Sequence, residues 1–279
     1  MSQPTLNFSR HSEAAARLYL QHWMILDQLS SLLDPSIPLE GSLKIVDIAC
    51  GTGIWLLDLA KHLPPTAELH GFDISSAHFP TPRELPANVV LDTWDALGPV
   101  PEHLHGQYDL VHCRGMMLYI QGGDPSRLLA NLALLLKPRG WLQWEELDVV
   151  NMYMRGDDTA TKYPNCAKYL EYGKRWLENV GIRGGWVSQM GAFMSQHNME
   201  VVKERRQVIT PGMEKPWTTM QVMATRDFIE NDIIPTCGAV GEGGISPEEW
   251  SEILREFPRE CQEGARVLLD IVYVVAKKG

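Results

Sequence analysis

Glycine and carboxylate residues occur together twice in the first third of the sequence, and both groups have the spacing of a ligand site. Asp47, Gly51 and Gly53 lie within DIACGTG, and Asp73 lies within GFDIS, 20 residues after Gly53. Glycines let a ligand approach the backbone closely. A carboxylate at the tip of the neighbouring strand can accept hydrogen bonds from both hydroxyls of a ribose. The two groups therefore predict a site for a nucleoside-containing ligand.

The glycine turn does not match the two common phosphate-binding patterns. No lysine follows the glycines as a P-loop requires. A GxGxxG turn needs glycine at its sixth position, which is Leu56 when counted from Gly51 and Ile54 when counted from Ala49. Asp47 would also repel a pyrophosphate, whereas it would attract a cation. S-adenosylmethionine carries an ammonium and a sulfonium but no phosphate, so it is the ligand that these charges favour.

The stretch DTWDA, residues 92–96, follows another predicted strand and completes the candidate site. Asp95 can accept a hydrogen bond from an adenine amino group, and Trp94 or Ile74 can cover the ring with an apolar wall. Core packing is the alternative role for Trp94. We expect Ile74, Trp94, Asp95 and Ala96 to form the adenine end of the site.

The elements that position these residues follow from hydrophobic periodicity. Helical spacing predicts an N-terminal helix over residues 11–33. Between residues 43 and 148, apolar runs such as LKIVDIA and YDLVHCR alternate with helical patterns such as PSRLLANLALLLK. This alternation predicts right-handed βαβ units. The expected fold is α/β, a Rossmann-like, doubly wound, mostly parallel seven-stranded sheet with an antiparallel edge strand.

Beyond Asp148, helical patterns follow one another with few strands between them. They predict helical cap segments over residues 149–198 and 211–262, which would hold the substrate above a cofactor-binding core of residues 43–148. Ser246 and Glu249 have the spacing of a capping box at the start of the last helix. The strands MEVVKERRQVI and RVLLDIVYVVAKK are expected to pair at the sheet edge. Residues 1–279 are interpreted as a single domain.

Composition narrows the classes of partner. The formal net charge is -10 and no run of lysine or arginine occurs, which argues against a nucleic-acid partner. The apolar runs are too short to cross a membrane and the N-terminus does not resemble a signal peptide, so the protein is expected to be soluble and cytoplasmic. The five cysteines are scattered and include no CxxC, which argues against a disulfide framework and a metal site.

Taken together, the motifs identify a resemblance to a known family. DIACGTG, GFDIS, TWDAL, YDLVHCR and LKPRGWLQWEE resemble, in order and spacing, the motifs of class I S-adenosylmethionine-dependent methyltransferases. RLYLQH before the first motif and KPRGWLQWEELD resemble the fungal secondary-metabolism methyltransferases of the LaeA-like group. Arg139 and Ala49 stand where that family usually has glycine, and Gln143 where it often has glutamate.

The resemblance implies methyl transfer to an oxygen, nitrogen or sulfur atom of a small natural product in fungal secondary metabolism. The displacement depends chiefly on alignment and on exclusion of water, and a base is useful when the acceptor carries a proton. His112 is interpreted as a core histidine. The predicted site residues are, for catalysis, His22 and Tyr119; for the cofactor, Asp47, Ala49, Gly51, Gly53, Asp73, Ile74, Trp94, Asp95, Ala96, Cys113 and Arg114; and for the substrate, Tyr19, Trp23, Met116, Glu145 and Glu146.

Two further hypotheses keep the fold and change the function. The same pocket can serve as a template for a non-methylating cyclisation or rearrangement, because fold does not fix function. A LaeA-like regulatory protein is the third hypothesis, although no basic localisation patch is visible. Release of S-adenosylhomocysteine separates the first hypothesis from the second. The identity of the substrate and the oligomeric state do not follow from the sequence.

Overall fold

The computed structural model describes residues 12–156, 159–236 and 245–279. Three parts of the predicted elements lie outside the described residues: residue 11 of the N-terminal helix, residues 157–158 of the first cap segment, and residues 237–244 of the second, which include Cys237. The strands are β1 (Lys44–Ile48), β2 (Glu68–Asp73), β3 (Val89–Thr93), β4 (Tyr108–Arg114), β5 (Leu136–Leu147), β6 (Tyr153–Met154), β7 (Met199–Gln207), β8 (Val267–Leu268) and β9 (Ile271–Lys278). The helices are α1 (Ser12–Leu29), α2 (Ile54–Leu59), α3 (Ser126–Leu135), α4 (Thr159–Lys162), α5 (Pro164–Asn179), α6 (Met190–Gln196), α7 (Glu214–Phe228), α8 (Ile234–Thr236) and α9 (Pro247–Glu263).

The main sheet of the described residues has seven strands in the order β3-β2-β1-β4-β5-β9-β7. Strands β1 to β5 pair in parallel. Strand β9 runs antiparallel to β5, and β7 runs antiparallel to β9. The Rossmann-like, mostly parallel fold class is therefore confirmed. The reversed strand is β9, which lies between β5 and β7, so the outermost strand β7 points in the same direction as β5.

The sheet core explains the nearly continuous apolar runs in the central strands. Strands that are covered on both faces cannot alternate polar and apolar residues. On one face, α3 contributes leucines such as Leu128 and Leu132 to the cluster that holds Val46 and Val111. On the other face, Trp55 and Leu56 of α2 pack with the cluster around Ile45.

Helix α6 lies against the sheet, although its sequence falls in a predicted cap segment. Met190 and Met194 are buried in the same cluster as the leucines of α3, and the helix packs on β7 and β9. The amide of Gly191, near the start of α6, donates to Glu204 of β7 at 3.1 Å. Helical periodicity shows that a helix has an apolar face but not which element covers that face. The domain bounds at the cap stay a prediction.

Helices α1, α5, α7 and α9 form a second layer, called the roof, and α5, α7 and α9 share a hydrophobic core of their own. Trp176 of α5, Phe228 of α7 and Trp250 of α9 are buried in one cluster. The predicted capping box at the start of α9 is present, because the Ser246 hydroxyl accepts from the Glu249 amide at 3.2 Å and Glu249 accepts from the Ser246 amide at 2.9 Å. Helix α1 ends at Leu29, earlier than predicted, where Ser30 takes a φ of 65°. Helices α1 and α7 pack together above the strand ends.

Candidate active site

A cavity of about 540 Å³ lies at the carboxyl ends of β1, β2 and β4, beneath α1, α5 and α7. Ligands of open parallel sheets bind at this edge, outside the strand ends. The glycine turn forms one end of the cavity, and side chains of the helical roof form the other. One continuous space can therefore hold two small molecules side by side.

The glycine turn is fixed by the tip of β2. Asp73 accepts from the Gly51 amide at 3.0 Å with one carboxylate oxygen and from the Ser75 amide at 3.0 Å with the other. Gly51 and Gly53 have φ values of 55° and 72°, which glycine adopts without a steric penalty. Ala49 lies in the same left-handed region at 59°. Asp73 lines the cavity, and its two oxygens keep further lone pairs for a ligand.

The predicted adenine residues gather beside Asp73. Ile74 lines the cavity and its side chain is 62% exposed, unusual for a large apolar residue. Trp94 packs edge-on against Phe72 and donates its indole N–H to the Pro99 carbonyl at 3.0 Å. Asp95 accepts from the Leu97 amide at 2.9 Å, and Ala96 is buried beside it. A ring bound against Ile74 would cover this exposed apolar surface.

Asp47 faces a histidine that the sequence assigned to the core. The His112 Nδ1 lies 2.7 Å from an Asp47 oxygen, and the imidazole stacks on Trp55 at 3.8 Å between ring centres. His112 Nε2 lies 3.6 Å from Glu145. Burial opposes protonation of His112, but Asp47 and then Glu145 outweigh it and raise the pKa of the imidazole. His112 lines the cavity, so it belongs to the site as well as to the core.

Arg114 and Glu145 form a buried ion pair at the end of β4. Two guanidinium nitrogens of Arg114 approach one Glu145 oxygen at 2.6 Å. Gln143 donates to the other Glu145 oxygen at 2.8 Å. Burial opposes ionisation of Glu145, yet Arg114 and then His112 lower its pKa to about 2. Arg114 lines the cavity but is already paired, whereas Glu145 lies behind it and does not line the cavity.

His22 connects this ion pair to α2. Its Nδ1 lies 3.3 Å from Arg114, and its Nε2 lies 3.3 Å from Asp58. Burial, and after it the charge of Arg114, lowers the pKa of His22, so the imidazole is neutral near pH 7. Its Nδ1 then accepts from Arg114 while Nε2–H donates to Asp58. Both ring nitrogens are engaged, which suits a residue that orients Arg114 better than one that takes a proton from a substrate.

Glu146 holds the loop that follows β4. It accepts from the amides of Met116 at 2.9 Å and Met117 at 3.1 Å, and from the Trp144 indole at 2.7 Å. Burial raises its pKa to about 7 despite these three donors. Met116 and Tyr119 from this loop line the cavity together with Glu146.

Several predicted site residues do not reach the cavity. Trp23 is 45% exposed and lies under the Lys61 ammonium at 5.5 Å. Tyr19 is half-buried on α1 outside the lining. Cys113 is buried in the sheet, where burial raises the pKa of its thiol. Gly53 and Glu145 are also absent from the lining, although Gly53 shapes the turn.

Sequence reasoning missed other cavity residues. Thr52 and Tyr169 line the cavity, as does Gln221 of α7. Gln221 could have been found from the sequence, because it is a polar residue on the apolar face of a predicted helix, beside Met220 and Ala224. Asp58 lies outside the cavity lining and contacts His22. The sequence gives no signal for this contact, because the two residues are 36 positions apart.

Neither a membrane-spanning helix nor a cluster of metal ligands occurs in the described ranges 12–156, 159–236 and 245–279. No helix in them combines the length and apolar character that crossing a membrane requires. No group of three or more histidine, cysteine, aspartate or glutamate side chains in the same ranges is arranged to hold a metal ion.

Comparison with known proteins identifies the family. Residues 46–142 match the profile described as a methyltransferase domain. The chain is 32% identical over 260 residues to N-methyltransferase sirN of Leptosphaeria maculans, and the match covers 91% of this chain and 83% of the relative. The chain belongs to the class I S-adenosylmethionine-dependent methyltransferases.

Other members of this methyltransferase family match over shorter stretches. Methyltransferase grgD of a Penicillium species is 44% identical over 180 residues, covering 61% of this chain and 60% of the relative. N-methyltransferase tcpN of Claviceps purpurea is 36% identical, covering 62% and 67% respectively. The match thus spans about three fifths of the Penicillium relative.

A solved structure agrees with the methyltransferase fold. Haemonchus contortus phosphoethanolamine N-methyltransferase 2, in complex with S-adenosyl-L-methionine, superposes with a TM-score of 0.56 at 15% identity, covering 97% of this chain and 59% of that chain. At this identity the likeness shows the fold alone. In the present chain, the side-chain-free turn at Gly51, the Asp73 carboxylate and exposed Ile74 fit S-adenosylmethionine, the cofactor of the family.

Proposed function

We propose that this chain transfers a methyl group from S-adenosylmethionine to a nitrogen atom of a small natural product. The observation that carries the proposal is the continuous cavity that joins the Gly51 turn and Asp73 at one end to the helical roof at the other. Three relatives are named N-methyltransferases: tcpN, verN of Clonostachys rogersoniana and sirN. Their names support nitrogen as the acceptor and their fungal sources support a role in fungal secondary metabolism.

The chain contributes alignment and exclusion of water. When bound, the cofactor supplies an electrophilic methyl group whose carbon–sulfur bond breaks as the bond to nitrogen forms. Asp73 and the backbone at Gly51 hold the adenosine part, while Ile74, Trp94 and Asp95 surround the adenine in this proposal. A preorganised, largely apolar space keeps the two reactants at contact distance, which accounts for most of the rate in such displacements.

The groups beyond the cofactor set the geometry of the acceptor. His22 is proposed as a positioning residue that holds Arg114, and Arg114 in turn fixes Glu145. Tyr119 lines the cavity on the loop after β4 and is 38% exposed, so it is proposed as a proton relay: its phenol oxygen takes up the acceptor proton as its own hydroxyl proton passes to water. Met116 and Glu146 belong to the same loop and shape the acceptor end.

Cofactor binding is tested with a carboxylate variant and a matched control. We expect Asp73→Ala to lose co-purified S-adenosylmethionine in native mass spectrometry and to bind S-adenosylhomocysteine at least about tenfold more weakly, because charge-assisted hydrogen bonds to the ribose are removed. Asp92→Ala is the matched control. It removes an exposed carboxylate on β3, the strand next to β2, and Asp92 lies outside the cavity lining. Equal binding by Asp73→Ala and the native protein, or equal losses in both variants, would contradict the ribose assignment.

Methyl transfer is tested with the metabolites of a strain that lacks this gene. We expect the strain to accumulate a compound one methyl group lighter than its usual product, and the purified enzyme with cofactor to convert it while releasing one S-adenosylhomocysteine. Fragmentation of the product locates the methyl group. Conversion without S-adenosylhomocysteine would support the template hypothesis, and loss of many unrelated metabolites would support the regulatory one.

A further inference from the structure

One face of each of the helices α1, α5 and α7 forms the roof of the cavity. Leu18 of α1, Leu170 and Leu177 of α5, and Met220, Ala224 and Phe228 of α7 all line it. Positions three or four residues apart lie on one face of a helix, so these side chains face the same space. The roof is therefore largely apolar, and any polar group on it is open to a functional interpretation.

Gln221 is such a polar group. Its side chain is 5% exposed, it lines the cavity on the stripe of α7, and its carboxamide has no hydrogen-bond partner within the described ranges. Most largely buried polar side chains are hydrogen-bonded, and a carboxamide that the protein leaves unpaired at a cavity wall can pair with a molecule in the cavity. The arrangement indicates that the partner of Gln221 is a bound molecule.

Gln28 of α1 shows what a structural glutamine looks like in this chain. It is also 5% exposed, yet its amide nitrogen donates to Asp27 at 2.8 Å and to Thr210 at 3.1 Å. Its oxygen accepts from the Thr210 amide at 2.8 Å. The two glutamines have the same chemistry and exposure and differ in whether the protein itself supplies the partners.

The charges around Gln221 favour a neutral ligand group. The nearby cation on α1, Arg17, is paired with Asp227 at 3.3 Å. Burial raises the pKa of Tyr169 on α5, so its phenol stays protonated. Lys174 also lines the cavity but is exposed, where solvent and salt screen its charge. In the described part of the roof, the Arg17 guanidinium keeps a buried Nε–H without a hydrogen-bond partner, but Asp227 balances its charge, so a buried anion would meet no uncompensated buried cation.

We propose that the Gln221 side chain hydrogen-bonds the substrate. The substrate is a largely apolar molecule, and its end beneath α7 carries one neutral group, such as an amide, that both donates and accepts hydrogen bonds. A carboxamide offers an N–H donor and an oxygen acceptor side by side. An amide on the ligand pairs with both at once, whereas a carboxylate repels the oxygen. This inference rests on the proposed function, because it names the class of molecule that the acceptor end takes.

Stability separates a recognition role from a structural one. Gln221→Met keeps the volume of the side chain and removes an unpaired polar group, so we expect an unchanged or higher melting temperature. Gln28→Met removes three hydrogen bonds, so we expect its melting temperature to fall by about 3 °C or more. A fall in Gln221→Met as large as that in Gln28→Met would show that Gln221 is structural and would overturn the proposal.

Binding is measured by nuclear magnetic resonance with three probes in the presence of saturating S-adenosylhomocysteine. The native protein should bind 2-naphthamide about tenfold more tightly than naphthalene or 2-naphthoate, and Gln221→Met should lose that factor of about ten while binding naphthalene unchanged. Equal binding of 2-naphthamide by both proteins, no binding of it by the native protein, or a preference for 2-naphthoate would overturn the proposal. Saturation by S-adenosylhomocysteine is recorded separately, so a failure of the cofactor assignment is distinguishable from a failure at Gln221.

Discussion

Four non-glycine residues in the described ranges adopt the left-handed backbone conformation that favours glycine, and Ala49 and Arg139 are two of them. Ala49 has a φ of 59° and Arg139 a φ of 64°. In the left-handed region the Cβ atom of an L-residue crowds the following carbonyl oxygen. Ala49 lies at the ligand turn, whereas Arg139 is exposed within β5 and contacts no part of the cavity. The strain at Arg139 is therefore open to relief without touching the site.

We expect Arg139→Gly to raise the free energy of unfolding by about 1 kcal/mol, because the relief of left-handed strain exceeds the entropy that glycine adds to the unfolded chain. Urea denaturation followed by fluorescence measures the change. Glu200→Gly, at an exposed position of β7 without a positive φ, should instead lose stability. A loss of stability in both variants would show that Arg139 makes a contribution that its conformation does not reveal.

At the level of single residues, the sequence predicted those parts of the candidate site that lie close together along the chain. The turn from Ala49 to Gly53 and the strand tip at Asp73 depend on local geometry, which spacing reveals. The pairing of Arg114 with Glu145 and of His22 with Asp58 depends on which strands and helices become neighbours. Sequence spacing does not show whether a basic residue such as Arg114 binds the cofactor or a carboxylate of the protein. In this structure Arg114 pairs with Glu145.

At the level of elements, Glu146 ties β5 to the loop after β4. Its carboxyl group has a pKa of about 7 in the folded protein, raised from 4.5 by burial and then by the charge of Glu145. A group with a higher pKa in the folded state binds its proton more tightly there. Its contribution to stability is complete below about pH 4.5 and is lost as the pH rises through about 7.

We expect the free energy of unfolding of the native protein to fall, relative to Glu146→Gln, by about 2.5 kcal/mol between pH 5 and pH 8. Denaturation curves at a series of pH values measure this difference, since other groups titrate alike in both proteins. Glu171→Gln, at an exposed residue paired with Arg175, should leave the pH dependence unchanged. Parallel curves for the native protein and Glu146→Gln would contradict the raised pKa.

Element type was predictable from the sequence, but the assignment of elements to layers was not. The strands from β1 to β5 have apolar runs that belong to a covered sheet. Helix α6 has the same apolar spacing as a cap helix, and only tertiary contact with β7 distinguishes them. The short helix α2 ends at Leu59, where the backbone changes to turns whose hydrogen bonds join residues three apart, from the Lys61 amide to the Asp58 carbonyl and from the His62 amide to the Leu59 carbonyl.

At the level of the whole molecule, residues of both the sheet and the roof line the cavity, so a bound ligand contacts both layers. A ligand that binds the folded state alone stabilises it in proportion to the logarithm of one plus the ratio of the free ligand concentration to Kd. We expect S-adenosylhomocysteine at a hundredfold excess over its Kd to add about 2.7 kcal/mol to the free energy of unfolding.

Thermal unfolding with S-adenosylhomocysteine, NAD or ATP measures this effect. NAD and ATP should give no shift, because Asp47 and Asp73 at the glycine turn disfavour phosphates. A shift with either nucleotide and none with S-adenosylhomocysteine would refute the electrostatic argument for the cofactor.

The position of β9 also constrains the order in which the molecule assembles. Strand β7 pairs only with β9 in the main sheet, and residues 208–270 separate the two strands. Until β9 pairs with it, β7 has both edges open, and this pairing is expected to form slowly because the two strands are distant in sequence. Lys203, Glu204, Arg205 and Arg206 occupy the middle of β7. Their charges discourage the open strand from joining strands of other molecules, which protects the chain from aggregation until β9 pairs.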